Sequence, residues 1–187
     1  MRARSPGIVD ARRRPPVQWR HSSERSTTVT DELSLPFLGT ESTTLSASAR
    51  RERNVVSLRS YFRLLQERDI ESWIELWADD CTVVAPYADG RIPQLLNGRA
   101  DVYAFYREEA DGYARLSFPG TDIMPTQDPD RVVVHWYPRG ELTDGTQYQN
   151  ENIGIFEFDA HGRIRRFTEF FNPLGLTGRP DPAVDGR

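Results

Sequence analysis

The chain has 187 residues, of which 37% are hydrophobic and 11% aromatic, so it can build one ordinary hydrophobic core and a single domain. All 24 residues in its Lys+Arg count are arginine, and the lack of lysine excludes Schiff-base, pyridoxal-phosphate and P-loop lysine chemistry. Residues 54–187 carry fourteen arginines against 22 acidic residues, a negative balance that disfavours nucleic acid as a partner.

Residues 1–50 are rich in Arg, Ser, Thr and Pro and have no sustained apolar period, which predicts a disordered basic leader. The sequence has no signal-like or membrane-spanning apolar run, and we expect a bacterial cytoplasmic protein with no membrane partner. Our hypothesis is that the given sequence starts too far upstream and that the natural protein begins near Val29. Residues 177–187, rich in Gly, Pro and Asp, predict a flexible tail.

The domain is predicted over residues 51–176, and it opens with an amphipathic helix from Asn54. Five apolar residues recur there at helical spacings on one face: Val55, Leu58, Tyr61, Phe62 and Leu65. We expect this face to pack against the core.

Two further helices are predicted before the main run of strands. Asp69 can cap a short second helix that carries Trp73 and Trp77 and ends at Asp79-Asp80. A strand over residues 82–85 follows, and then a third helix over residues 98–111.

The second half of the domain is predicted to consist of strands. A weak strand falls within residues 116–124, and three strong strands cover residues 131–142, 147–159 and 163–172. An Ala160-His161-Gly162 turn joins the last two. This order predicts the α+β class, with three N-terminal helices packed on a curved antiparallel sheet.

Glu169 stands among three phenylalanines in the last predicted strand. Burial of a carboxylate in apolar surroundings raises its pKa and makes it a candidate for proton transfer near neutral pH. The competing interpretation is a structural carboxylate that pairs with Arg166 or Arg139 at the rim of the sheet. Strand parity puts Phe167, Glu169 and Phe171 on one face, without telling which face is internal.

Tyr148 opens a predicted strand in which alternate residues are first polar and then aromatic. One face carries Tyr148, Asn150, Asn152, Phe156 and Phe158. A phenol and two amides can donate hydrogen bonds to a substrate oxygen. The alternative is a strand face that contacts solvent or a second subunit.

His135 and Trp136 are neighbours in a strand, so only one of them points inward. His135 is a candidate catalytic residue, and its structural alternative is an ordinary strand histidine. The spacing of His21, His135 and His161 fits no zinc motif, and the single Cys81 excludes Cys-x-x-Cys sites. We expect no metal and no cofactor.

Aromatic residues are the candidates for a substrate-binding wall. Most are explained as core residues, but a cavity inside an aromatic shell also buries its lining. The candidates are Trp73, Trp77, Tyr103, Phe105, Tyr106, Trp136, Phe156 and Phe171, together with Asn150 and Asn152.

Several short segments resemble the cone-shaped nuclear-transport-factor-2-like (NTF2-like) fold, and within it the SnoaL-like polyketide cyclases and the phenazine biosynthesis A/B proteins. The segments are Trp77-Ala78-Asp79-Asp80, Gly98-Arg99, Thr126-Gln127-Asp128-Pro129, Tyr148 with Asn150, Ile155-Phe156-Glu157-Phe158, and Glu169-Phe170 with Asn172-Pro173. The resemblance covers roughly residues 54–176.

The resemblance to the phenazine proteins implies that Glu169 is a general acid-base and that Tyr148 assists it. Phe105 stands where that family has a pocket histidine, and Ala85 stands where the related steroid isomerases have an aspartate before a proline. Neither relative's full set of catalytic groups is therefore present.

The function we expect is metal-free acid-base catalysis on a carbonyl-containing small molecule in bacterial secondary metabolism, by isomerisation, cyclisation or condensation. The partner would be a hydrophobic or aromatic small molecule, and the protein would be a homodimer through its outer sheet face or a dimer with a paralogue. One alternative is a non-catalytic binding or accessory protein. Another is a water-activating epoxide hydrolase, for which Asp79, Asp101 and Asp122 supply carboxylates.

Overall fold

The structure is a computed structural model that describes residues 45–88, 90 and 92–176, except for the side chains of residues 175 and 176. Residues 1–44 of the predicted leader and the predicted tail lie outside the described residues. The described part confirms the α+β class, with helices packed on a curved mixed sheet. No helix in the described part is long and apolar enough to cross a membrane.

Helix α1 spans Ala47–Glu67 and begins earlier than the predicted Asn54. Ser46 caps it, because its hydroxyl accepts a hydrogen bond from the Ala49 N–H at 3.2 Å. The predicted apolar face is buried, including Leu58, Tyr61 and Phe62. The first residues of α1 therefore belong to the domain rather than to the predicted leader.

Helix α2 is only one turn long, Ile70–Trp73, and is followed by a 3₁₀ turn at Ile74–Leu76. Asp69 caps it as predicted, accepting from the Ser72 N–H at 3.1 Å. Trp77 was predicted on this helix but begins strand β1, Trp77–Val84, where it pairs with Ile164. The pairing of β1 with β9 thus outweighs the helical pattern of the local sequence.

Helix α3 spans Arg99–Asp111, close to its predicted bounds. Gly98 precedes it with a φ of 84°, a left-handed conformation that a glycine adopts without strain. The short strand β2, Leu95–Asn97, leads into this turn and pairs with β1.

Two of the predicted long strands are each divided in two. Pro138, which has no N–H to donate, separates β5, Arg131–Trp136, from β6, Arg139–Leu142. Residues 150–151 separate β7, Gln147–Gln149, from β8, Asn152–Phe158. The weak strand also divides, into β3, Tyr113–Ser117, and β4, Asp122–Pro125.

These breaks distribute the strands over two sheets. Strand β9, Ile164–Phe171, lies inside a six-stranded sheet of order β2-β1-β9-β8-β5-β4. Strands β3, β6 and β7 form a separate three-stranded sheet. The sheet was predicted to be antiparallel, but β1 and β9 are parallel, since a long crossover separates them in the chain.

The core is a cluster of aromatic rings between α1, α2 and the large sheet. Phe156 and Phe167 stack at a centroid distance of 4.3 Å, and Tyr61 contacts Phe156 edge-on at 5.2 Å. Trp73 and Trp77 pack 5.1 Å apart and are fully buried. Cys81 is also buried, and the loss of hydration raises the pKa of its thiol to about 11, which makes it unreactive.

Candidate active site

A cavity of about 130 Å³ lies beside this core. Helices α1 and α3 form one side, and the strands form the other. Its lining comprises Tyr61, Phe62, Leu65, Ile92, Phe105, Tyr106, Glu109, Ala110, Tyr113, Leu116, Phe118, Trp136, Pro138, Tyr148, Asn152, Glu169 and Phe171.

Glu169 lies on β9 and lines this cavity. Its strand neighbours of equal parity, Phe167 and Phe171, are both buried. The internal face of β9 is therefore the one that carries Glu169, which the sequence left open. The carboxylate is surrounded by protein atoms but stays partly accessible from the cavity.

Asn152 on β8 is the hydrogen-bond partner of Glu169. Its side-chain Nδ2 donates to Oε1 of Glu169 at 2.8 Å, and only 4% of the residue is exposed. Within the described part of the chain no arginine forms an ion pair with Glu169, so the predicted pairing with Arg166 or Arg139 is not the arrangement seen.

The electrostatic environment raises the pKa of Glu169 from 4.5 to about 7. Desolvation is the largest cause, and the negative charge of Glu109 adds to it. The Asn152 hydrogen bond opposes both, because it stabilises the ionised form. A carboxylate with this pKa exchanges protons readily near neutral pH.

Asn152→Leu should therefore raise the pKa of Glu169 further above about 7, since the one donor that favours the ionised carboxylate is lost. A carbon-detected NMR titration of the glutamate carboxyl groups would measure the shift. Asn150→Leu is the matched control, because the Asn150 amide donates to the Asn172 carbonyl instead. A pKa that is unchanged or lower in Asn152→Leu would contradict this account.

Two phenols from the helices also face the cavity, Tyr61 from α1 and Tyr106 from α3. Burial raises the pKa of both well above the usual value, and the negative charge of Glu169 raises them further. Both phenols thus stay protonated over the working range of pH and can donate hydrogen bonds. Sequence analysis named Tyr106 only as an aromatic wall residue and Tyr61 only as a core residue.

Glu109, near the end of α3, is a second carboxylate on the cavity wall. Its charge is close enough to Glu169 to raise that residue's pKa. Sequence analysis missed Glu109, although it follows Phe105 and Tyr106 at helical spacing and so shares their side of α3.

Tyr148 on β7 lines the cavity as predicted, and its ring lies 6.1 Å from that of Tyr113. Asn150, predicted to share its inward face, does not line the cavity. The strand breaks at residues 150–151, and the Asn150 amide turns to donate to the Asn172 carbonyl at 3.0 Å and to the Tyr148 hydroxyl at 3.4 Å. Asn150 therefore supports Tyr148 from outside.

Gly154 lies directly opposite Glu169 in the β8–β9 ladder. A Cβ atom there would stand 2.6 Å from the Phe167 ring and 2.9 Å from the Trp136 ring. Only glycine leaves room for both rings beside the carboxylate.

His135 was predicted as a catalytic residue, and the structure places it outside the cavity. Val134 and Trp136 on either side are buried, so His135 points to the other face of β5. Its Nε2 lies 2.9 Å from Oε1 of Glu151. It cannot share a substrate with Glu169 from that position.

Four of the predicted wall residues do not line the cavity either. Trp73, Trp77 and Phe156 are fully buried in the core, where other rings cover them. Tyr103 packs partly buried at the edge of the core and donates from its hydroxyl to Glu71 at 3.0 Å. The predicted wall residues that do line the cavity are Phe105, Tyr106, Trp136, Phe171 and Asn152.

The three aspartates considered for epoxide hydrolysis are not assembled in the cavity. Asp79 is exposed on β1 and pairs with Arg99, while Asp101 and Asp122 are exposed on α3 and β4. None of them belongs to the described lining, so the cavity does not hold the carboxylates considered for this alternative.

The fold and this cavity define a small α+β protein with a carboxylate in a partly open, aromatic-lined cavity. The SnoaL-like domain family matches residues 58–167, and the chain belongs to this family. It is 27% identical over 124 residues to the Bacillus subtilis protein YesE, covering 66% of this chain and 84% of that protein. A PhzA/B-like protein of Pseudomonas aeruginosa is 25% identical over 113 residues, covering 60% and 79%.

Solved structures agree with this assignment. The crystal structure of a candidate isomerase from Bacillus subtilis matches with a TM-score of 0.63 and 26% identity, covering 68% of this chain and 92% of that one. The NTF2-like fold and the similarity to phenazine A/B proteins inferred from short motifs are thereby confirmed.

Proposed function

We propose that this protein is a metal-free acid-base catalyst that isomerises, cyclises or condenses a carbonyl-containing small molecule in bacterial secondary metabolism. The observation that carries the proposal is Glu169, a carboxylate inside an aromatic cavity with its pKa raised to about 7. The similarity to a PhzA/B-like protein and to a candidate isomerase supports the same class of reaction.

The ionised Glu169 carboxylate would take a proton from the carbon next to the substrate carbonyl. The electron pair of that C–H bond moves into the carbonyl group, and the oxygen becomes an enolate oxygen. Neutral phenols donate hydrogen bonds to it, and Tyr61, Tyr106 and Tyr148 are the candidates on the cavity wall. Protonated Glu169 then returns its proton to another atom of the intermediate.

The test is the exchange of hydrogen for deuterium at the carbon next to a carbonyl group. Small cyclic and aromatic ketones are incubated with the protein in deuterium oxide and followed by proton NMR. The proposal requires that the protein accelerates exchange in at least one of them. Exchange at the uncatalysed rate in the whole panel would favour the non-catalytic alternative.

That alternative, a binding or accessory protein, has one specific observation in its favour. Phe105 lines the cavity where the resemblance to the phenazine proteins implies a histidine, so a second proton-transfer group is replaced by an apolar ring. Tight ligand binding without exchange would identify this function.

We also propose that the protein is a homodimer through the outer face of the large sheet. This outer face lies on the side of the sheet opposite the cavity. It carries Met124, Val133, Ile153, Ile155, Phe170 and the adjacent Tyr87. Apolar side chains exposed together on one surface favour contact with a protein partner.

Ile153→Arg should convert the dimer to a monomer, since 47% of Ile153 is exposed on this outer face and two arginines would meet across a symmetric contact. Analytical ultracentrifugation measures the mass. Val56→Arg is the matched control, because Val56 is 54% exposed on α1, away from the sheet. A monomeric wild-type protein, or an Ile153→Arg variant that stays dimeric, would refute the proposed interface.

A further inference from the structure

Asn152 is a buried polar side chain that packing alone does not explain. Only 4% of the residue is exposed, and its Oδ1 has no hydrogen-bond partner in the part of the chain that the structure describes. A buried amide that is only partly paired is unfavourable, and an apolar side chain of similar volume would avoid this cost. The amide therefore has a role other than packing, and its Nδ2 donates to Oε1 of Glu169 at 2.8 Å.

The two strands fix this pair of side chains relative to one another. Glu169 on β9 lies directly opposite Gly154 on β8, and Asn152 precedes Gly154 by two residues on the same face. The rings of Phe167 and Trp136 take the space beside Gly154, so Asn152 is the polar neighbour that Glu169 meets across the ladder. Such diagonal neighbours lie within reach of long side chains, and both belong to regular strands rather than to a loop.

The two carboxylate oxygens of Glu169 are not equivalent. Oε1 accepts the hydrogen bond from Asn152, whereas no hydrogen bond to Oε2 is found among the described residues. A proton on Oε1 would face the N–H groups of Asn152, donor against donor. A proton on Oε2 leaves Oε1 able to accept the same hydrogen bond in both the ionised and the neutral form.

The alternative is a reversed amide, in which Oδ1 of Asn152 accepts a proton carried by Oε1. That arrangement suits the neutral acid, but it sets two oxygens against each other when Glu169 is ionised, so the amide would have to turn with every proton transfer. Protein atoms surround Asn152, and a rotation there requires its packed neighbours to move. We therefore expect one orientation of the amide in both forms.

We propose that Asn152 is a positioning residue, which keeps Oε1 of Glu169 as a hydrogen-bond acceptor and leaves Oε2 as the oxygen that carries the proton. The use of that proton in a reaction rests on the proposed function. Its position on Glu169 follows from the hydrogen bond and applies equally to a binding protein.

In the proposed reaction this arrangement assigns the proton transfer to one atom. A lone pair of Oε2 forms the new O–H bond with the substrate proton, the electron pair of the C–H bond stays on the substrate as the enolate, and Oε2 later returns the proton. Asn152 holds the carboxylate group in the orientation that this transfer needs, because the rate of a reaction depends strongly on the placement of the reacting groups.

Neutron diffraction can locate the proton directly. Crystals of the wild-type protein are exchanged into deuterium oxide at about pH 5, where Glu169 is protonated because its pKa is about 7. We expect the deuterium on the oxygen that faces away from Asn152, and an N–D group of Asn152 directed at the other oxygen. A deuterium on the oxygen that faces Asn152, or the amide oxygen of Asn152 in place of its nitrogen, would overturn the proposal.

Asn152→Leu tests the positioning in solution, with a ketone whose exchange the protein accelerates. The rates are compared on the plateau above the pKa of each protein, where Glu169 is ionised in both. The other groups that face Glu169 are Tyr61 on α1 and Tyr106 and Glu109 on α3, and the substitution leaves all three in place.

The two possible roles of the Asn152 hydrogen bond give opposite results on this plateau. If the bond only lowered the pKa, the variant would have an equal or higher plateau, because a more basic carboxylate takes up a proton more readily. Positioning predicts a plateau in kcat that is lower by about tenfold or more in Asn152→Leu, with KM nearly unchanged. An equal or higher plateau would show that Asn152 does not position Glu169.

Glu157→Gln is the matched control, because Glu157 lies on the same strand as Asn152 but on its opposite face, where it pairs with Arg131 at 3.4 Å. Its plateau should equal that of the wild type. If no ketone exchanges faster than without protein, the catalytic proposal fails, and neutron diffraction still decides the place of the proton. If a ketone does exchange but the plateau of Asn152→Leu does not fall, Glu169 remains the base and Asn152 loses its role.

Discussion

Replacing Glu169 by glutamine is expected to lower the rate of proton exchange or turnover by about 10²–10⁴-fold, the usual contribution of a general acid-base. Glutamine has nearly the same shape and can still accept the Asn152 hydrogen bond, but it cannot take up a proton. Ligand affinity should change little, because the apolar walls and the phenols remain. The loss should therefore appear in kcat rather than in KM.

The pH dependence of the wild-type rate gives a second measurement. A general base must be ionised, so the rate should rise with pH and level off above the pKa of Glu169, which lies at about 7. The rising limb should be absent in the residual rate of Glu169→Gln. A substitution that leaves turnover unchanged, or a wild-type profile with no inflection near neutral pH, would refute the role of Glu169.

Stability measurements show whether Glu169→Gln loses activity because a catalytic group is gone or because the protein is less stably folded. The pKa of Glu169 is higher in the folded protein than its ordinary value of 4.5, so the wild type loses stability as pH rises from about 4.5 to about 7. Glutamine carries no such charge, and Glu169→Gln should be more stable than wild type at about pH 8, by on the order of 3 kcal/mol. Glu157→Gln, on the opposite face of β8 with Arg131 and Arg165 as partners, should change neither exchange nor ligand binding.

The two groups at the centre of the site were accessible from the sequence. Glu169 stood out because a carboxylate among phenylalanines is unfavourable without a function, and Asn152 followed from strand alternation. Both lie on regular strands, where parity fixes which residues share a face. The structure added the one fact that parity cannot supply, that the face of Phe167 and Phe171 is the internal one.

The helical contributions to the site could not be predicted in the same way. Tyr61 and Glu109 fit an amphipathic helix equally well as a core residue and a surface residue. Their position on the cavity wall depends on how α1 and α3 pack over the sheet, which is a tertiary property. The pairing of the two carboxylates is thus visible only in the folded chain.

The errors at His135 and Asn150 have local causes. His135 was one of two adjacent candidates for the inner face, and the larger apolar Trp136 takes the buried position. Asn150 was placed by extending one strand parity through residues 147–159. Two residues that are not in a strand separate β7 from β8, so the inward and outward alternation of one strand does not continue into the next.

Phe167→Ala is expected to lower the free energy of unfolding by about 3–5 kcal/mol, the range for phenylalanine-to-alanine substitutions in a packed core. The Phe167 ring stacks on Phe156 at 4.3 Å and also contacts Tyr61 and Trp136. Its removal leaves a cavity next to Gly154, a residue with no side chain to fill the space. Urea denaturation followed by circular dichroism gives the free energy.

Phe170→Ala is the matched control, since Phe170 lies on the same strand but on the outer face, where it is half-buried and contacts Tyr87 at 5.7 Å. Phe170→Ala should lower the free energy of unfolding by less than about half as much as Phe167→Ala does, because less apolar surface is lost from the core. Unfolding at two protein concentrations separates any effect on the proposed dimer, which depends on concentration, from the effect on the protomer. Equal costs at both positions would mean that β9 has no preferred internal face, and Glu169 would then lose its place in the cavity together with Phe167.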